Sequence, residues 1–437
     1  MEDRPRCPRT NAILFGFFAQ TGYRRGTAAH TAGPALLKMT AFRPARSGFH
    51  FPFLTRCVET AVNRSTHIPY EGVPFEPEVF LARNSPLKIT RKYLHKYLLL
   101  KLRGQIPLEL KHLNSSQRIL WIYTRRNFGD AIMDMAGRAL LRGMNVPIDL
   151  FTLPSLHKLF AQDDVFQHVF SDLREVVGRQ YDAILMSEFN LPSIRLKNRH
   201  FAKLPYACLF QYFNGPDRNQ TDFSYASVND VFSLGHAASE LQSISKPYLA
   251  STPDTVQSVL PFIPDTPFLA LAVGGLDPNR TYSHWPAVLD LMDRSDDLRI
   301  LKRVVLLGSD NGLAMAEQLA AQRFRHLQIS SCVGKLTLLQ SREVAARASL
   351  FLGADGGLMH VAHTTPVPSV SLFGIKEPPY LRLTGQCHSI GLQSKGNVDT
   401  IAPAEVVQAI ARQVATYGAA TAAARDSAHQ LNPPETA

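Results

Sequence analysis

Ala348–Gly374 reads ASLFLGADGGLMHVAHTTPVPSVSLFG, and the expected architecture of the chain is built outward from it. An apolar run, Leu350–Leu352, breaks at Gly353-Ala354-Asp355-Gly356-Gly357 and resumes as Leu358-Met359-His360-Val361-Ala362 with helical spacing. Pro366 and Pro368 then precede a second apolar run, Val370–Phe373. The pattern predicts strand, glycine turn, short helix, strand. Such a turn leaves backbone N–H groups at a helix N-terminus, where a phosphate group can sit. Asp355 and His360 flank that point.

The same alternation extends in both directions. Upstream, Phe268–Val273 predicts a strand running into Gly274-Gly275, His284–Met292 a helix and Lys302–Leu307 a strand. Helix Gly312–Arg323, strand Leu327–Ser330 and helix Leu338–Ala348 follow. Ala404–Val414 predicts a last helix, and the Ala- and Pro-bearing tail after Tyr417 is expected to fray. The N-terminal half repeats the scheme. Arg118–Thr124 is a strand candidate, Arg125–Asp130 a loop, and Ala131–Arg142 a helix stopped by Gly143. Ile148–Thr152, Tyr181–Met186 and Tyr206–Gln211 read as further strands, Asn214–Asp230 as a polar loop and Ser243–Pro267 as a linker. Two successive α/β halves predict two doubly wound domains, 113–255 and 256–417, preceded by an extension, 1–112, and followed by a tail, 418–437. Ligands of such sheets bind at the carboxyl ends of strands. Gly129-Asp130 and Gly353–Gly357 both follow strands, so both are expected to face a cleft between the domains.

The chain has 437 residues and a net charge of +11, which favours anionic partners such as nucleotides or phosphorylated sugars. No aromatic-interleaved basic motif of a nucleic-acid module is present, so nucleic acid is not expected. Cys7, Cys57, Cys208, Cys332 and Cys387 are scattered and form no CxxC pair, which fits a reducing compartment and neither a disulfide framework nor a zinc site. No run nears the roughly eighteen apolar residues of a membrane span. Ala12–Ala19 is short and follows acidic residues, a poor signal peptide. A cytoplasmic protein is expected. Residues 1–85 show no lasting periodicity and read as irregular. Leu87–Arg103 is different: Lys88, Arg91, Lys92, His95, Lys96 and Arg103 share one helical face. Two readings stand for it, a peripheral contact with an anionic membrane and a helix packed on the first domain with a solvated basic face.

Three segments resemble glycosyltransferase family 9, the ADP-heptose:lipopolysaccharide heptosyltransferases. RILWIYTRRNFGDAIMDMAGRAL, 118–140, is similar to the family's N-terminal strand-loop-helix with its Gly-Asp. FLALAVGGLDPNRTYSHWPAVLDLM, 268–292, is similar to its His-Pro-Gly-type strand followed by a Trp-Pro helix start. VGKLTLLQSREVAARASLFLGADGGLMHVAHTTPVPSVSLFG, 333–374, is similar to its Gly-Lys-Thr-x-Leu segment and Asp-Thr-Gly-x-x-His block. The order and spacing fit over roughly 115–415, and residues 1–112 lie outside. The resemblance implies a GT-B fold, two Rossmann-like domains facing a central cleft. It implies inverting transfer without a metal or cofactor, from a nucleotide-sugar donor, ADP-heptose, to a glycan or glycolipid acceptor such as lipopolysaccharide core. Two alternatives stand beside it: the same fold acting on a protein or another glycan with a donor other than a heptose, and a degenerate relative that binds a nucleotide without catalysis. The donor would sit on the C-terminal domain and the acceptor on the N-terminal one.

Inverting transfer needs a base for the acceptor hydroxyl and stabilisation of the leaving diphosphate. Residue chemistry alone favours reading Asp130 as the cap of the helix that follows; the resemblance reverses that and makes it the base. Asn127 and Gly129 belong to the acceptor-side loop. Asp355, Gly356, Gly357 and His360 match the donor block, with Asp355 toward donor hydroxyls. Gly356 stands where the family usually carries Thr. Gly274 and Gly275 match the Pro-Gly turn, while Ala272-Val273 replace the His before it. Ser283 and His284 stand where a basic residue is usual before Trp285, so Arg280 or His284 would supply the charge. Lys335 would reach a phosphate or lie on the surface.

Overall fold

The computed structural model describes residues 52–76, 80–82, 84–215 and 217–431, with side chains as far as residue 417. Five strands form the first sheet: β1 Ile119–Ile122, β2 Ile148–Phe151, β3 His168–Phe170, β4 Ala183–Met186 and β5 Tyr206–Cys208. Their order is β3-β2-β1-β4-β5, all parallel, with Ile119 opposite both Ile148 and Ala183. Six strands form the second: β6 Phe268–Ala272, β7 Arg303–Leu307, β8 Gln328–Ser331, β9 Leu350–Ala354, β10 Ser369–Phe373 and β11 Ser389–Gln393. Their order, β11-β10-β9-β6-β7-β8, is likewise parallel throughout.

Central strands buried on both faces need continuous apolar runs, and β1, Ile-Leu-Trp-Ile, is buried at every position. Its side chains alternate between two cores. Ile119 and Trp121 join one face with Leu150 and Leu185, and Leu120 and Ile122 join the other with Ile184 and Met186. In the second sheet Leu350 and Leu352 pack with Leu269 and Val370, while Phe351 turns to Phe268 and Phe373. The strand order reverses beside β1 and β4 in one sheet and beside β6 and β9 in the other. Loops at such reversals open a crevice at the carboxyl ends of the strands.

Several expectations need correction. Asn214–Asp230 is largely helix, Gln220–Val231, because Asn219 caps it by accepting from the Asp222 N–H and its Ser, Tyr and Thr side chains are buried. Helix Phe128–Asp134 begins before Asp130 and ends early, giving way to a 3-10 turn over Ala136–Leu141. The stretch read as a linker, Ser243–Pro267, starts within the last turn of helix Ala238–Ile244 and contains helix Pro253–Val259. The last helix runs from Pro403 to Leu431, through the tail expected to fray, since Ala-rich sequence propagates helix well. Strands β3 and β11 lie outside the predicted set. Of the stretch read as irregular, 1–51 lies outside the described residues, but Pro52–Thr66 is a helix that buries Ala61 and Ser65. It packs against helix Pro86–Lys101. Among the described residues no helix is long and apolar enough to cross a membrane.

Candidate functional site

The two reversals meet in a cleft of about 1010 Å³. Asn127, Gly129, Asp130, Gly274, Gly275, Arg280, Asp355, Gly356, Gly357 and His360 all line it.

On the first sheet's side, the chain leaves β1 and turns into helix Phe128–Asp134 with Asn127 at the cap position. Asn127 makes no side-chain cap bond; its Nδ2 donates to Asp130 Oδ2 at 3.1 Å. Asp130 therefore sits within the first helical turn and is not the cap. Gln220 Nε2 donates to Asp130 Oδ1 at 3.4 Å, and Arg125 Nη1 lies 3.9 Å from Oδ2. The Asp130 side chain remains 20% exposed, open to a ligand. Burial pushes its carboxyl up, but Arg125, Arg382, Asn127 and Gln220 outweigh burial and hold it below the ordinary carboxylate range.

One turn further, Asp134 has the opposite fate. It is fully buried and accepts from Tyr123 Oη at 3.1 Å, Arg125 Nη1 at 2.9 Å and Gln220 Nε2 at 3.3 Å. Burial pushes its carboxyl up to about 6 against the pull of Arg125. Two carboxylates on one helix are thus driven apart by their surroundings, an arrangement that separates acid and base roles. Arg125 also pairs with Glu188, Nε to Oε1 at 3.2 Å.

On the second sheet's side, Asp355 follows β9, its N–H bonded to the Leu372 carbonyl at 2.8 Å. Its Oδ2 accepts from Arg280 Nη1 at 3.3 Å, and its Oδ1 lies 3.3 Å from His360 Nε2. The latter approach is close but poorly aligned, which leaves Asp355 Oδ1 buried without a well-formed hydrogen bond; the other ring nitrogen, His360 Nδ1, is also buried without a partner. Burial raises the Asp355 carboxyl, yet His360, Arg382 and Arg280 hold it far below its usual range. Gly356 is extended, with φ 179°, and an added Cβ would meet only the Ala354 carbonyl at 3.8 Å, so a side chain fits there. At Gly357 nothing lies within 4 Å of an added Cβ, leaving the backbone open at the start of helix Gly357–Ala362. Gly274 has φ 87°, and a Cβ would lie 2.8 Å from the Gly312 backbone. A Cβ on Gly275 would lie 2.3 Å from Thr281 Oγ1.

The halves touch at their motifs. A Cβ on Gly129 would fall 2.4 Å from His360 Cδ2. Arg382 pairs with Glu377, Nη2 to Oε2 at 2.7 Å, and reaches across to donate to Gln220 Oε1. Asn219 Nδ2 donates to the Tyr380 and Leu383 carbonyls at 2.8 and 2.9 Å.

Two donor-side expectations fall elsewhere. Lys335 does not line the cleft; its turn folds the chain back, and Nζ donates to the Ser331 carbonyl at 2.9 Å. His284 is exposed at the start of helix Trp285–Arg294, its ring against Tyr282, so Arg280 is the cation of that segment that lines the cleft. Lys96 departs from the exposed basic face expected of its helix. It points inward to line the cleft, Nζ donating to Asn214 Oδ1 at 2.6 Å, and burial lowers its ammonium.

Residues not singled out from sequence complete the walls: Gln220, Arg382, Glu188 and Arg218, with Asp134 buried behind them. The Arg218 guanidinium lies 4.8, 4.7 and 4.3 Å from the ring centroids of Phe210, Phe213 and Phe223. The Asn219-Gln-Thr-Asp222 run is a helix-start signature that would have revealed Gln220, and the four-residue step from Asp130 to Asp134 was visible. Nothing local marks Arg382. No group of three or more His, Cys, Asp or Glu side chains is placed to hold a metal ion among the described residues.

A family model described as glycosyltransferase family 9 (heptosyltransferase) matches residues 174–397. A search of curated proteins finds no significant match. Among solved structures, the chain is similar to a glycosyltransferase family 9 protein of Veillonella parvula DSM 2008, at 18% identity and TM-score 0.56, over 69% of this chain and 97% of that one. It is similar to the E. coli ADP-heptose lps heptosyltransferase II, at 17% identity and TM-score 0.53, over 69% and 99%. It is also similar to E. coli heptosyltransferase WaaC with ADP, at 15% identity and TM-score 0.51, over 69% and 100%. The likeness is one of fold: two parallel sheets facing a cleft, the GT-B arrangement.

Proposed function

The chain belongs to glycosyltransferase family 9, and from that premise we propose that this glycosyltransferase moves a heptose from ADP-heptose to a hydroxyl of a bacterial surface glycan such as lipopolysaccharide core, with inversion and without a metal. The reading is carried by one observation. The carboxylate of Asp130 and the Asp355–His360 pair share one cleft, with Gly129 pressed against the His360 ring.

In this reading Asp130 takes the acceptor's proton as the acceptor oxygen attacks the anomeric carbon. The bond from that carbon to the β-phosphate oxygen breaks, and ADP leaves with the electron pair. A base must be unprotonated to act, and the cations and amides around Asp130 favour its carboxylate. Arg280, half-exposed beside the donor motif, offsets the diphosphate's charge. The wholly buried Asp355 side chain holds Arg280 and His360 at the donor's side of the cleft rather than meeting donor hydroxyls itself. Gly274, Gly275, Gly356 and Gly357 let the nucleotide approach the backbone, and Asn127 orients Asp130.

The test offers purified protein ADP-heptose and other sugar nucleotides with lipopolysaccharide-core acceptors and measures nucleoside diphosphate release. Acceptor-dependent release from ADP-heptose alone is expected; release from none, or from a different donor, rejects the substrate assignment. Asp130→Asn should lower kcat by about 10²–10⁴-fold, the usual contribution of a positioned base, while calorimetric affinity for ADP stays within about threefold. Equal loss of both would make Asp130 structural.

A further inference from the structure

Helix Pro86–Lys101 lies outside the matched family segment and presents two different faces. Its inner face buries Ile89, Thr90, Tyr93 and Leu100 and sends Lys96 into the cleft wall. On its outer face Leu87, Leu98 and Leu102 are 71%, 46% and 80% exposed. At 100° per residue, Leu87, Arg91, Leu98 and Leu102 fall within one narrow stripe, with His95 and Lys88 along one edge and Lys101 along the other. All are exposed. No Asp or Glu occurs from Val79 to Leu108, whereas seven Lys and Arg do. Phe53 and Leu54, on the helix packed against this one, are exposed as well.

Three leucines aligned in one exposed stripe form a patch rather than scattered surface apolar residues, and the segment carries no carboxylate to repel an anionic surface. Leucines that enter the acyl boundary, ringed by lysines and arginines long enough to reach lipid phosphates, match an interfacial helix. We propose that helix Pro86–Lys101 docks this protein on an anionic lipid bilayer, leucine stripe inward, with the cleft wall at Lys96 on its opposite side. The docking claim stands whichever sugar is transferred.

The test is cosedimentation of the full chain with phosphatidylcholine vesicles, with and without phosphatidylglycerol. Binding is expected only with phosphatidylglycerol and should fall steeply with added salt. The Leu87→Asp, Leu98→Asp, Leu102→Asp variant should bind at least about tenfold less, because each leucine contributes buried apolar area. Its side chains are exposed, so its melting temperature should match wild type. If that variant fails to fold, Lys88→Glu, Arg91→Glu carries the same test. Equal binding to both vesicle types, or unchanged binding by a folded variant, overturns the proposal. So does a wild type that ignores vesicles yet forms a leucine-dependent dimer, which would make the stripe a contact between two copies.

Discussion

Replacing Gly129 with Ala probes the contact on which the closed cleft depends. Gly129 lies inside helix Phe128–Asp134 and is not among the residues with positive φ. Backbone preference alone therefore favours Ala, by about 1 kcal/mol in a helix. Packing opposes it. The new methyl would lie 2.4 Å from His360 Cδ2 and 3.0 Å from Nε2, where ordinary contacts begin at 3.4 Å. Something must give by about 1 Å, and His360 has little freedom, with a side chain only 5% exposed and set against Asp355. Overpacking of this kind costs about 1–3 kcal/mol, and a misplacement of about 1 Å at reacting groups costs about 10²-fold in rate. The expected result is a fall of about 10²-fold in kcat/KM for nucleoside diphosphate release, with weaker ADP binding. Gly178→Ala is the control, since nothing lies within 4 Å of its added Cβ. A Gly129→Ala protein that is more stable than wild type, with kcat/KM within about twofold, would refute the reasoning.

Two further perturbations test the surroundings of the site. Asp134 titrates near 6 when folded against an ordinary 3.8. A raised carboxyl favours the folded state only while protonated. Wild-type stability relative to Asp134→Asn should thus fall as pH rises from about 4 to 6, by up to about 3 kcal/mol; denaturant titrations across that window would show the reverse slope if Arg125 kept the group ionised. Asn219→Ala removes a helix cap and strips the donor from the Tyr380 and Leu383 carbonyls. A loss of about 2–4 kcal/mol is expected in chemical denaturation, and a loss under about 1 kcal/mol would mean the clasp contributes little.

The sheet framework was legible because its strands are buried on both faces and must be written as apolar runs between glycine turns. Ile119–Ile122, Phe268–Ala272 and Leu350–Ala354 all announce themselves that way. Gln220–Val231 did not, because it packs on the Ala136–Leu141 turn and helix Phe128–Asp134 while burying Ser, Thr, Tyr and Gln side chains, of which Ser224 bonds the facing backbone. Short edge strands β3 and β11 carry half-buried, mixed residues and look like loop. At the site, motif residues were readable wherever glycine had to admit a neighbour or a carboxylate followed a strand. Arg382 and Lys96 were not, since each reaches the cleft only through tertiary packing of a surface-like cation. Lys335 failed for the converse reason: a basic residue in a promising turn spends its charge on its own backbone.

Val361, from helix Gly357–Ala362 of the second lobe, is buried within the apolar core of the first, against which Leu338 and Leu339 also pack. Fully burying one such side chain is worth about 1.5–3 kcal/mol, so apolar packing joins the two lobes here beside the Asn219 and Arg382 hydrogen bonds. A change in the size of Val361 would therefore be felt in both lobes at once.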